Sequence, residues 1–170
     1  FKQLHNWLCG LYTCLMNLPI SLLGGVWGVL FLVKVHHLSN DSSAIITSML
    51  FWGTIIGSPI MGLFSDVFSM RKAPMLYGAV VSLAVMVAIL MLPNLGFVSL
   101  SALFFLLGFV TSTQVLSYPF IAERSPAMIT ATSLSVGSFV IMGGQGIFRW
   151  FYGVVLQWHA AERGAAGVYT

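Results

Sequence analysis

Long apolar stretches alternate with short polar segments along the whole chain. Five of these stretches are long enough to cross a bilayer as helices, which takes about 20 residues each. They cover approximately residues 7–33, 44–64, 74–92, 97–118 and 128–156. Sheets are disfavoured, because open strand edges cannot lie in lipid and the short alternating segments of a membrane barrel are absent. The pattern predicts an all-α polytopic membrane protein with five transmembrane helices.

The composition supports lipid as the solvent for most of the surface. The chain is 58% hydrophobic and 6% charged, whereas a soluble domain carries about a quarter charged residues. The net charge is +3, but the basic residues lie between the apolar stretches. They therefore indicate membrane topology, and nucleic acid is not an expected partner.

The distribution of basic residues favours one orientation. With the N-terminus of this chain inside, four basic residues are cytoplasmic and two are outside, with Arg149 set aside. The inside residues are Lys2, Arg71, Lys72 and Arg124, and the outside residues are Lys34 and Arg163. We expect an integral protein of a bacterial plasma membrane, with the bilayer as its first partner.

The loop between the second and third stretches concentrates charge in a chain that has little. Gly62, Asp66 and Arg71 follow the spacing G-x-x-x-D-x-x-x-x-R, and Lys72 comes next. Asp66 can pair with Arg71 or lie near a helix N-terminus, where partial positive charge gathers. Gly62 would let another helix pack close. The simpler interpretation is a solvated turn whose charges only set the topology.

This loop resembles the motif G-x-x-x-D-[R/K]-x-G-R-[R/K] of the major facilitator superfamily, in which it joins the second and third helices of each six-helix half. Val67, Ser69 and Met70 depart from that motif. Three further segments resemble the family's seventh helix, the link between its tenth and eleventh helices, and its eleventh helix. They read "GLYTCLMNLPISLLGGVWG", "FIAERSPAMITATSLSVGSF" and "GGQGIFRWFYGVVLQW".

The resemblance implies that residues 1–170 form part of a C-terminal half, helices seven to eleven. The start at Phe1, the odd number of spans and the loop-like tail agree with a piece of a longer protein. We therefore expect the N-terminal half of the same chain as a partner, and a last helix after Thr170. Pro19 and Pro59 lie inside spans and are expected to bend them.

In that family, the first and fourth helices of each half line a central cavity, where a small-molecule substrate binds near the midplane. The candidate substrate-binding residues are Tyr12, Asn17, Trp27, Thr111, Gln114 and Arg149. The resemblance also implies a cytoplasmic gate formed by Asp66, Arg71 and Glu123, with Lys72 and Arg124 at its edge. In the alternative interpretation, the polar groups only join neighbouring helices and Arg149 reaches the outer headgroups.

The function implied is a secondary transporter, or permease, for a small polar or anionic solute. A channel or a structural membrane subunit is the alternative. No enzyme is expected, because a membrane serine protease or a haem bundle needs histidines inside the spans, and all four lie at ends or in loops. Cys9 and Cys14 read as buried free thiols, and no cofactor or metal site is predicted. The predicted spans contain no Asp, Glu, Lys or His, which leaves symport, antiport and uniport open.

Overall fold

The computed structural model describes residues 4–67, 72–92 and 95–162, and every regular element in these ranges is helical. Five helical stretches in these ranges are long and apolar enough to cross a membrane. They are Trp7–Gly25, Asn40–Val67, Lys72–Met91, Phe97–Glu123 and Thr130–Val155. These five spans, numbered here in chain order, confirm the predicted all-helical architecture and indicate an integral membrane protein.

The first span belongs to a long helix that changes its hydrogen-bonding pattern midway. It begins as α1, Leu4–Pro19, continues as a π-helical segment, Ile20–Trp27, and ends as α2, Gly28–Val35. Pro19 has no amide hydrogen, so the α-helical ladder loses one bond directly before the π segment. Gly28 begins α2 where a Cβ atom would collide with the carbonyl oxygen of Leu23.

The second and third spans are uninterrupted helices. The second is α3, Asn40–Val67, and the third is α4, Lys72–Met91. The hydroxyl oxygen of Ser39 accepts a hydrogen bond of 3.3 Å from the backbone amide of Ser42, which caps the first turn of α3. Pro59 lies inside α3, and the helix continues through it to Val67.

The fourth span, like the first, is interrupted. It consists of α5, Phe97–Thr111, a 3₁₀ segment, Ser112–Leu116, and α6, Ser117–Arg124. The sequence placed its end near residue 118, and the structure extends it to Arg124. Pro119 falls in the first turn of α6, where a missing amide hydrogen costs little, so the helix restarts there instead of ending. A 3₁₀ turn, Ala127–Ile129, then leads into the fifth span, α7, Thr130–Glu162.

Glycines bring the second and fourth spans into backbone contact. A Cβ atom at Gly57 would lie 2.7 Å from the carbonyl oxygen of Phe109, and one at Gly53 would collide with that of Phe105. Gly53 and Gly57 are four residues apart, on one face of α3, and both serve this close packing. Gly62 does not, because no atom of the described residues lies within 4 Å of a Cβ placed there. The role of Gly62 in admitting another helix therefore stays a prediction.

The main hydrophobic core is built from the first four spans and lies toward one end of them. We call this end outer and the opposite end inner, after the orientation that the sequence predicts. Its buried members are Leu23, Leu32, Ile46, Leu50, Val85, Ile89, Leu100, Phe104 and Leu107. The fifth span packs on the first, where Gly10 meets Val140 and Gly144 meets the sulfur of Cys14. This arrangement leaves the inner halves of the first, third and fourth spans to carry polar groups.

Candidate functional site

A cluster of hydroxyl groups joins three spans near their inner ends. The hydroxyl of Tyr12 donates a hydrogen bond of 3.0 Å to the carbonyl oxygen of Met75 on α4. It also lies 3.1 Å from the hydroxyl oxygen of Thr113 in the 3₁₀ segment. One residue on, the Thr13 hydroxyl donates to that of Ser117 at 2.5 Å. We call Tyr12, Thr13, Thr113 and Ser117 the inner hydroxyl cluster.

The 3₁₀ segment fits this cluster because a glycine faces it. Gly78 on α4 is buried, and a Cβ atom there would collide with the hydroxyl oxygen of Thr113. The absence of a side chain at Gly78 therefore lets α4 approach the segment closely. Next to Thr113, the side-chain oxygen of Gln114 is buried and has no hydrogen-bond partner within the part of the chain that the structure describes. A buried amide oxygen of this kind is an acceptor open to a donor from elsewhere.

The remaining two polar candidates of the first and fourth spans differ in exposure. Thr111 is fully buried, and its hydroxyl donates to the carbonyl oxygens of Leu107 and Gly108. Both acceptors belong to the fourth span, so in this conformation the Thr111 hydroxyl bonds within its own helix. Asn17 is half-buried on α1, five residues beyond Tyr12. Its role in substrate binding stays a prediction, as does that of Thr111.

A second group of candidates lies on the outer halves of the first and fifth spans. The rings of Trp27 and Tyr152 meet edge to face, with their centroids 5.9 Å apart and their planes at 62°. One turn before Tyr152, the exposed Arg149 extends toward the first span. A Cβ atom at Gly25 would lie 3.6 Å from a terminal guanidinium nitrogen of Arg149. We call Gly25, Trp27, Arg149 and Tyr152 the outer aromatic–arginine cluster.

The predicted gate is described only in part. Asp66 is exposed in the last turn of α3, Glu123 is exposed near the end of α6, and Lys72 is exposed at the start of α4. Arg71 and the side chain of Arg124 lie outside the described residues. Lys2 and Arg163, which entered the topology argument, lie outside them as well. The gate therefore stays a prediction.

The link between α2 and α3 carries two adjacent histidines. Both ring nitrogens of His36 are buried and have no hydrogen-bond partner within the described residues. Burial lowers the pKa of His36 below its usual value, and the neighbouring His37 lowers it further. His37 has a backbone φ of 54°, in the left-handed region. Across residues 4–67, 72–92 and 95–162, no three His, Cys, Asp or Glu side chains gather as a metal site would require.

Each cluster contains residues that the sequence singled out as candidates, Tyr12 in the inner one and Trp27 and Arg149 in the outer one. The other members of the inner cluster are Thr13, Thr113 and Ser117, and they were not singled out. A signal was available for Thr113 and Ser117, because they are four residues apart in one predicted span and so share a face of a regular helix. Cys9 and Cys14 are buried free thiols, as predicted.

Three of the six candidate substrate-binding residues thus lie in two polar groups at different depths. Tyr12 belongs to an inner group of hydroxyls, and Trp27 and Arg149 belong to an outer group built on a cation and two aromatic rings. Comparisons of the chain with protein-family models, with curated proteins and with solved structures gave no match.

Proposed function

We propose that this chain is part of a secondary active transporter, a permease that moves a small polar or anionic solute by alternating access. The observation that carries the proposal is the position of the two helix interruptions. The π segment Ile20–Trp27 lies in the first span and the 3₁₀ segment Ser112–Leu116 in the fourth. These are the two spans that the resemblance to the major facilitator superfamily assigns to the cavity. The other three spans are uninterrupted α-helices over their described residues.

Interrupted helices have a physical use in a carrier. Where the regular ladder is broken, backbone groups and side chains become available to a solute, and transporters place such breaks at their binding sites. π segments are frequent at functional sites for the same reason. Gln114, whose buried side-chain oxygen accepts no hydrogen bond from the described residues, lies within one of the two interruptions.

The outer aromatic–arginine cluster supports an anionic or polar solute. A guanidinium inside the membrane is costly unless it faces water or a partner. Arg149 is exposed, and its guanidinium lies beside Gly25, which has no side chain. A guanidinium can hold a carboxylate or phosphate by two parallel hydrogen bonds, and the rings of Trp27 and Tyr152 beside it can contact the rest of a small solute.

The inner hydroxyl cluster also bears on how this part of the protein moves in the proposed cycle. Its bonds tie the first, third and fourth spans together on one side of the π segment. On the other side, the hydrophobic core packs the first span against the second, third and fourth. In the proposed cycle, these spans therefore move together against the N-terminal half.

The proposal includes a location and a partner. The chain lies in the plasma membrane of a bacterium with its N-terminus in the cytoplasm, and an N-terminal half of the same protein packs against it across the cavity. The gate residues Asp66, Arg71 and Glu123 then lie at the cytoplasmic face, with Lys72 and Arg124 at its edge.

The test is transport by the full-length protein in liposomes. A carrier shows saturable uptake and counterflow, in which a trapped solute accelerates the entry of its labelled form, whereas a channel shows no counterflow. Candidate carboxylates, phosphates and neutral polar solutes are compared as trapped solutes. Absence of counterflow with all of them, under conditions where solute leaks through the protein, would show a channel.

Substitutions of Arg149 test directly whether the solute is anionic. We expect Arg149→Gln to raise the Michaelis constant for an anionic solute at least tenfold, and Arg149→Lys to raise it less, because lysine keeps the charge but loses the paired geometry. If both variants leave the Michaelis constant unchanged, Arg149 is an interface anchor and the anionic class is withdrawn.

A further inference from the structure

A lateral groove lies between the first and third spans near their inner ends. Its volume is 360 Å³. Its lining is apolar apart from Tyr12 and Lys72, and the apolar members are Leu8, Cys9, Met75, Leu76, Ala79 and Phe120. The hydroxyl of Tyr12 already bonds to Met75 and Thr113. Within the part of the chain that the structure describes, Lys72 therefore supplies the one polar group of the lining without such bonds.

The groove has a floor and an open side. Cys9, Met75 and Phe120 form the floor, since each is at most 9% exposed. Leu8 and Leu76 flank the opening, and they are 55% and 67% exposed. A groove that opens sideways between spans and carries apolar side chains at its lips is reached from the bilayer, not from water.

The charge and the depth of the groove select its occupant. Lys72 is the first residue of the third span, so it lies where the apolar region meets the headgroups. Ala79 is seven residues further along α4, which corresponds to a depth of about 10 Å. The groove therefore presents a cation at headgroup level and an apolar channel beneath it.

We propose that this groove binds an anionic phospholipid, with one acyl chain between the first and third spans and the phosphate at Lys72. Cations at the membrane surface attract anionic headgroups, and the apolar lining takes the chain. The inference rests on the groove and on Lys72 alone, and does not depend on the proposed transport function. It gives Lys72 a role apart from the gate.

The first experiment is native mass spectrometry of the full-length protein released from nanodiscs that contain equal amounts of phosphatidylglycerol and phosphatidylcholine. One lysine at an anionic surface corresponds to a preference of about fivefold. We expect phosphatidylglycerol to be retained over phosphatidylcholine by this factor. Lys72→Gln should remove most of the preference and Lys72→Arg should keep it. Lys34→Gln, the same charge change at the opposite membrane face and away from the groove, is the matched control for general surface attraction and should lower the preference less.

A second variant tests the chain-binding part. Ala79→Phe fills the deep end of the groove and should lower retention of both lipids. Ala84→Phe makes the same change at an exposed position of α4 and should not. Unchanged lipid retention in both Lys72→Gln and Ala79→Phe overturns the proposal. An effect of Ala79→Phe without any effect of Lys72→Gln overturns the headgroup assignment.

The third experiment identifies the occupant in the membrane itself. Leu76 is replaced by the photoreactive p-benzoylphenylalanine, and the protein is irradiated in native membranes. A cross-linked adduct with the mass of a phospholipid supports the proposal. A cross-link to another segment of protein overturns it, since a helix would then fill the groove.

Discussion

The contact between the second and fourth spans makes Gly57→Ala an informative substitution. The new Cβ atom would lie 2.7 Å from the carbonyl oxygen of Phe109 and 2.5 Å from the hydroxyl oxygen of Ser112. The Ser112 side chain can rotate away, but the Phe109 carbonyl belongs to the backbone of α5. That backbone must recede by about 0.7 Å to reach ordinary contact at 3.4 Å. Overpacking of this kind costs about 1–3 kcal/mol.

Gly62→Ala is the matched control for this cost. It makes the same change in the same helix, at a position where the added atom meets nothing among the described residues within 4 Å. Both variants gain up to about 1 kcal/mol from the higher helix propensity of alanine. This gain cancels in the difference, so Gly57→Ala should be less stable than Gly62→Ala by about 1–3 kcal/mol.

The free energy of unfolding is measured by titrating the full-length protein in mixed micelles with SDS and following tryptophan fluorescence. Retained transport or retained binding of a solute shows that each variant is folded before the titration. Equal unfolding free energies for the two variants would contradict the backbone contact between the second and fourth spans at Gly57.

Three further predictions concern single side chains. Tyr12→Phe should lower the free energy of unfolding by about 1 kcal/mol, because it removes the hydroxyl that bonds to Met75, while Tyr77→Phe, at an exposed tyrosine, should change nothing measurable in the same titration. Because burial lowers the pKa of His36, the folded state disfavours its charged form. The contribution of neutral His36 to the free energy of unfolding is therefore fully present above pH 7 and is lost as the pH drops through about 6.5 toward the lowered pKa. His36→Phe should reduce this loss in thermal unfolding scans from pH 7.5 to 5. Asp66→Asn should slow solute counterflow more than it weakens solute binding, since a gate contact acts on the rate of conformational exchange, and a wild-type rate or a loss of binding alone would exclude the gate role.

The spans were predictable because hydropathy reports directly on contact with lipid. The apolar stretches at 44–64 and 74–92 appear as α3 and α4, each extended or shifted by only a few residues. The end of the fourth span was missed because Glu123 and Arg124 read as loop residues. A helix at the membrane boundary can continue through charged positions, since their side chains reach water.

The interruptions were harder to predict, because a hydropathy pattern contains no information on which carbonyl each amide bonds to. Pro19 was expected to bend the first span, but a proline alone does not distinguish a bend from a change to π pairing. This difference matters for the site. On a regular helix Tyr12 and Trp27 fall near one face. The π segment changes the rotation about the helix axis that separates the two side chains.

Consequently, the separation into inner and outer clusters emerges only from the folded chain. Tyr12 is satisfied by partners on the third and fourth spans, 63 and 101 residues away. Trp27 contacts Tyr152 on the fifth. Spacing along one helix carries no signal of partners so distant in sequence.

The length of α7 has a geometric consequence for the bilayer around it. Its 33 residues span about 50 Å at 1.5 Å per residue, whereas the hydrocarbon layer is about 30 Å thick. Even at a tilt of about 40°, the upper end of the usual range, only about 26 residues fit within that layer, which is the length of the stretch Thr130–Val155. The final two turns, with the exposed Trp158, therefore continue as helix beyond the hydrocarbon layer and lie at the level of the headgroups.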